Sequence, residues 1–194
     1  MKSQTQVPPY KLIRSRRRTL SLQAKNGGLI VRAPLRLPQS EVERFIEAHR
    51  GWIEKRFAEQ AAKERARAAF EANTDPKEYA RQTAEHKARA KRELPARAQE
   101  WAHLMGITPA SVRVGSARTR WGSCNAAGAI RLSWRLILAD KEAIDYVIVH
   151  ELAHLRQMNH GEAFWAIVAR YAPDYKAQRV KLRALQRRLE IEGR

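Results

Sequence analysis

Residues 140–160 read D-K-E-A-I-D-Y-V-I-V-H-E-L-A-H-L-R-Q-M-N-H. Ile144, Val147, Ile148, Leu152 and Leu155 recur at helical spacing, which predicts a largely buried amphipathic helix from about Asp140 to Gln157. Asp140 is a candidate cap, and Glu142 places an acid in the first turn. On such a helix His150 and His154 stand one turn apart on one face, with Cβ atoms about 6 Å apart. Two imidazoles so placed can converge on one ion. Glu151, next to His150, points beside that ion, where a general base for an activated water belongs. His160, six residues past His154, offers a third donor. Three protein ligands with a fourth position open is the catalytic pattern rather than the structural one. A pair of core histidines is the bland alternative.

Composition sets the bounds. A chain of 194 residues suits one domain, or one with a helical extension. The single cysteine, Cys124, allows no intrachain disulfide and suits a reducing, cytoplasmic setting. No apolar run is long enough to span a membrane, and Met1 to Pro9 carries no apolar signal-peptide core. The formal charge is +18. Residues 1–40 hold nine Lys/Arg and no acid, whereas residues 41–105 are close to balance. Residues 106–194 hold fifteen basic and eight acidic residues, so the excess lies towards the two ends. Such a surface attracts polyanions, and nucleic acid or nucleotide contact is one expectation. A merely solubilising surface is the other.

The rest of the chain alternates between two periods. Leu20, Leu22 and Ala24 alternate with polar residues, Asn26-Gly27-Gly28 reads as a tight turn, and Leu29-Ile30-Val31 follows. This predicts an N-terminal β-hairpin region over 1–40. Arg16, Arg17 and Arg18 mark a bulge or a solvated face. Ser40 with Glu43 has capping-box spacing, and Val42, Phe45, Ile46, Trp52, Ile53 and Phe57 continue as one helical face. Asp75-Pro76 starts a second helix, with Pro95 expected to kink or interrupt it and Gly106 to end it. Residues 41–105 therefore read as a long αα-hairpin. From Ile107 the β period returns, with Val112 and Val114, then a turn at Asn125 to Gly128, then a strand through Ala129, Ile130, Leu132 and Trp134. Glu162 to Tyr171 is a short helix. A last helix carries Leu182, Leu185 and Leu189 on one stripe and Lys176, Arg179, Arg183 and Arg187 on another. The whole is an α+β pattern.

At this level the residues resemble a known family. The stretch from His150 to Leu155, with Asn159-His160 and Phe164-Trp165, is similar to the YgjP-like zinc-dependent metallopeptidases. Thr119-Arg120-Trp121-Gly122-Ser123-Cys124 and Ile144-Asp145-Tyr146 precede it in the expected order, as do Arg17-Arg18-Thr19, Val31-Arg32-Ala33-Pro34 and Trp52-Ile53. The resemblance covers most of the chain. It implies a minimal zincin-like catalytic core over 106–194, related to the SprT-like and WLM proteases. It also implies Zn²⁺ held by His150, His154 and His160, with Glu151 as general base. The histidine spacing is shared with the metzincins, but those place a glycine midway between the second and third ligands, where this chain has Gln157.

The expected reaction is hydrolysis of a peptide bond in a protein or peptide substrate. Arg118 and Arg120 are the candidate oxyanion or substrate contacts, from the loop before the strand that leads to the helix. The strand Ala129 to Arg135 is a candidate edge for an extended peptide. Asp145, Glu162 and Asp174 are candidate carboxylates behind the ligand histidines. Cys124 is either a fourth, inhibitory ligand or a small buried side chain. Two other classes compete. Zinc-activated water also attacks phosphorus, which makes a nucleotide or phosphodiester hydrolase the runner-up. A non-catalytic nucleic-acid-associated zinc module is the third, and it has no use for Glu151.

Overall fold

Tyr10–Ser15 (β1), Ser21–Lys25 (β2) and Gly28–Pro34 (β3) form a three-stranded sheet in the order β1-β3-β2. The computed structural model describes residues 8–25 and 27–193. The β2–β3 hairpin forms, with Lys25 opposite Gly28 and Gly27 at φ 70°. Asn26, the first residue of the expected turn, lies outside the described residues, as do residues 1–7 of the stretch read for a signal peptide. β1 pairs with β3 in parallel, so Arg16, Arg17 and Arg18 lie between two strands rather than in one. The sheet is covered by Gln39–Ala48 (α1) and the start of Arg50–Ala72 (α2). Val42, Ile46 and Ile53 pack with Leu29, Val31 and Ala33 in a small core of their own. Two sequence expectations change here. Ser40 is not the cap of α1; Pro38 holds that position and no side chain bonds it. The single helical face is also broken at His49, at φ −111° and ψ 14°.

By packing, the chain gathers into two compact units, Met1–Ala69 and Phe70–Arg194. The second unit opens with Pro76–Met105 (α3), capped by Asp75, whose carboxylate accepts from the Lys77 amide at 3.0 Å. α3 runs through Pro95 without interruption. Packing outweighs the hydrogen bond lost at proline, because Ala90, Leu94, Ala98, Ala102 and Met105 on one face are all buried. Gly106 ends the helix in the left-handed region at φ 61°.

Ser111–Gly115 (β4), Gly122–Cys124 (β5) and Ala129–Ser133 (β6) make the second sheet, in the order β4-β6-β5. β6 is thus the central strand, parallel to β4 and antiparallel to β5. It cannot be the edge that an extended peptide joins, which corrects the sequence reading. Trp134 is not on the strand either. Ser133 ends β6, and Trp134–Leu138 forms a 3-10 turn. Lys141–Ala153 (α4), Glu162–Tyr171 (α5) and Tyr175–Ile191 (α6) follow. Fully buried Leu94, Leu132, Leu136, Ile148, Leu152 and Phe164 make the centre of this core, with α4 in its middle. Among the described residues no helix is long and apolar enough to cross a membrane.

α4 is tied to α3 by Asp145. Its carboxylate accepts from Arg97 Nε and a second Arg97 nitrogen, both at 2.6 Å, and from Trp101 Nε1 at 2.9 Å. Asp145→Ala leaves the Trp101 indole without its acceptor and the Arg97 guanidinium with Glu100 alone. We expect a loss of about 2 kcal/mol in urea unfolding, the scale of a charged hydrogen-bonded group removed from a partly buried network.

Candidate metal centre

α4 ends one residue before the second histidine of the motif. His154 is its C-cap, yet it keeps right-handed helical geometry at φ −62° and ψ −24°. The one-turn offset from His150 is therefore preserved. Beyond it the chain tightens, with the Leu155 and Arg156 amides bonding to Leu152 and Ala153 at 3.0 Å each. A guanidinium nitrogen of Arg156 donates to the Met105 carbonyl at 2.7 Å, pinning this turn to the end of α3. Asn159 then accepts from the Gly161 amide at 2.8 Å, and the chain reverses at His160 into α5.

This path brings the three imidazoles together. One nitrogen from each of His150, His154 and His160 lies within 4.8 Å of the others. Nε2 of His150 and Nε2 of His160 face one another at 3.2 Å. Two nitrogens each about 2.1 Å from a tetrahedral ion stand about 3.4 Å apart, so the spacing suits a shared metal ion. The hydrogen bonds agree on which nitrogen is free. Nδ1 of His154 lies 3.3 Å from the Gln157 carbonyl, which leaves Nε2 of that ring for a metal. Burial, with the other two rings close by, lowers His150 to about 3, so it stays in the neutral form that ligates. Burial also lowers His154. Under the three rings lies Phe164, fully buried, with centroid distances of 4.9, 4.6 and 4.7 Å to His150, His154 and His160.

Glu151 is 6% exposed. Its carboxyl group packs on the backbone of Gly122, in β5. A Cβ added there would stand 2.6 Å from both Cγ and Oε1 of Glu151. Burial pushes the Glu151 carboxyl up to about 7, with Arg120 pulling the other way.

The family model described as YgjP-like, metallopeptidase domain, matches residues 18–84 and 67–185. The chain belongs to this family. Among solved structures, this YgjP-like chain is similar to the metallopeptidase zymogen abylysin of Pyrococcus abyssi. That similarity has 20% identity and a TM-score of 0.39, and covers 44% of this chain and 90% of that one. No curated protein matches significantly.

The other sequence candidates are dispersed. Asp145 is engaged by Arg97 and Trp101, Asp174 accepts from Gln178, and Glu162 is exposed. Nδ1 of His150 is buried without a partner among the described residues, and none of these three carboxylates stands behind it. A guanidinium nitrogen of Arg118 donates to the Gly193 carbonyl at 3.0 Å, and its own carbonyl accepts from Gln186 at 2.8 Å. Arg120 shares a cavity with Ser123 and Cys124, and its charge reaches Glu151. Cys124 stands apart from the histidine cluster, with Sγ 3.6 Å from the Asn125 carbonyl. Burial first, and the Glu151 charge second, push its thiol up. Tyr146 is not marked as a site residue by sequence reading. It lies edge-on to His150 at 5.9 Å and lines the cavity beside Glu151; burial holds its hydroxyl protonated.

Gly122 was also missed, although a glycine inside a strand signals close approach of another group. Gly122→Ala is expected to push the Glu151 carboxylate from its seat by about an ångström. The measurement is kcat on a protein substrate beside the far-ultraviolet CD spectrum. We expect kcat to fall by roughly 10²-fold with an unchanged fold, since such misplacements cost that much.

Proposed function

We propose that the chain is a zinc-dependent metallopeptidase, with His150, His154 and His160 holding the ion and Glu151 as general base. Residues 106–194, within the second unit, are on this reading a minimal zincin-like core. The observation that carries it is the seating of Glu151 between the histidine cluster and the edge strand β5. When bound, zinc supplies Lewis acidity towards a carbonyl and makes a coordinated water more acidic. Glu151 accepts a proton from the attacking water at its carboxylate oxygen. It then delivers that proton to the amine nitrogen as the C–N bond breaks.

β5 offers the substrate a place to lie. The Trp121 carbonyl accepts from the Ser133 amide at 2.8 Å, and the Asn125 amide donates to the Ala129 carbonyl at 3.2 Å. Antiparallel alternation then turns the backbone groups of Gly122 and Cys124 away from β6, towards the open edge. An extended peptide paired there passes beside Glu151. Tyr146, a neutral donor, and Arg120, a charged one, are the groups that can meet the developing oxyanion. Arg118 is held at the end of α6 and is the weaker candidate.

A second reading, nucleotide or phosphodiester hydrolysis, draws on Arg179 and Arg183 in the cavity beside Glu151. One experiment separates the two. The protein is stripped with a chelator, reloaded with zinc and offered a casein-like protein, DNA-bound protein and nucleoside triphosphates. Zinc-restored proteolysis is expected. Restoration of nucleotide hydrolysis alone would overturn the peptidase reading.

A further inference from the structure

A cavity of about 400 Å³ opens beside the histidine cluster. Gly122, His150 and Glu151 stand at one end of it. Val147 and Leu182 give it an apolar floor, and Leu182 is 4% exposed. Arg179, Arg183 and Gln186, one helical face of α6, form a wall. Glu151 is the only acidic residue in the lining among the described residues.

We propose that this cavity is the subsite for an acidic residue of the peptide substrate, with Arg179 and Arg183 binding its carboxylate. The inference rests on the peptidase reading.

Arg179 and Arg183 differ in setting from most arginines of the long helices, including Arg188 of the same helix, which meets Glu192 at 3.5 Å. On α1 to α3, Arg44, Arg50, Arg56, Arg81, Arg89 and Arg97 each meet a glutamate one turn away. α6 carries Lys176, Arg179, Lys181, Arg183, Arg187 and Arg188 before its first acid, Glu190. Neither Arg179 nor Arg183 has a carboxylate within ion-pair distance among the described residues. Two like charges one turn apart repel, and an anion between them removes the repulsion. Both side chains are held in place. The Arg179 guanidinium lies over the Trp165 ring, 5.4 Å from its centroid, and Arg183 Nε donates to the Arg179 carbonyl at 3.3 Å. The guanidinium fork fits a carboxylate with two parallel hydrogen bonds.

The floor decides which anion fits. Val147 and Leu182 suit a methylene stem that ends in one charge, which describes a glutamate side chain. A polyphosphate is polar along its whole length and gains nothing from that floor.

The test uses zinc-loaded, full-length enzyme and matched peptides that differ by Glu, Gln or Lys at one position at a time. At one position, kcat/KM for the Glu peptide should exceed that for the Gln peptide by about tenfold. Arg183→Glu should move the preference towards Lys at that position, and Arg179→Gln should reduce the Glu preference. Because a charge reversal can disturb folding, binding is measured separately. Fluorescent Glu and Gln peptides are titrated into Glu151→Gln enzyme, with and without Arg183→Gln. The Glu peptide should bind about tenfold more tightly, and the difference should vanish with Arg183→Gln. Equal cleavage of Glu and Gln peptides at every position would overturn the subsite and leave the peptidase reading standing. Cleavage of no peptide would overturn both. Inorganic triphosphate binding more tightly than the Glu peptide, and losing this with Arg183→Gln, would overturn the carboxylate assignment.

Discussion

Glu151→Gln is expected to keep its metal and to lose two to four orders of magnitude in kcat, the range that a positioned general base supplies. Glutamine has the same length and branching, so the packing against Gly122 survives. What disappears is the ability to take a proton. The pH profile gives a second signature. Burial raises Glu151 to about 7 against the pull of Arg120, and a bound cation beside it would draw that value down. A base works only when deprotonated, so wild-type kcat should rise with pH along an acid limb below about 7. The limb belongs to Glu151 and should be missing from the residual activity of the variant. Metal content by mass spectrometry and kcat on a casein-like substrate check the prediction. A fully metallated variant within a few-fold of wild type would remove Glu151 from the reaction.

His160→Ala should cost more metal affinity than the 10–100-fold typical of losing an outer-shell partner, because a ligand itself goes. His150 and His154 keep their places at the end of α4 and its cap without it, and two imidazoles form an incomplete catalytic set. His160 is exposed, so its truncation opens no core cavity and the fold should persist. Competition against a chromophoric zinc chelator measures the loss. Unchanged affinity would move the third ligand elsewhere.

The convergence of the histidines was legible because most of it is local. The offset from His150 to His154 follows from helical geometry alone, and the return to His160 needs only one short turn. Strand order was not legible. Ala129 to Ser133 has the same alternation whether it lies at an edge or at the centre, and only the pairing of β4 and β5 on either side decides. The same holds for β1, whose parallel partner lies beyond an intervening strand. Pro95 misled for the opposite reason: a strong local signal yielded to a buried helical face. Gly122 and Glu151 lie 29 residues apart in sequence, and nothing local announces that one needs the other to lack a side chain.

Phe164 touches all three imidazoles and is itself fully buried in the core of the second unit. Occupancy of the site and cohesion of the core are therefore linked by mass action. An ion that binds only the folded chain raises its unfolding free energy by RT ln(1 + [metal]/Kd), about 2.7 kcal/mol at a hundredfold excess over Kd. On the proposed reading, free metal concentration would thus tune how long the chain survives as well as how fast it works. Metal-starved protein would, on that reading, be both idle and easier to degrade.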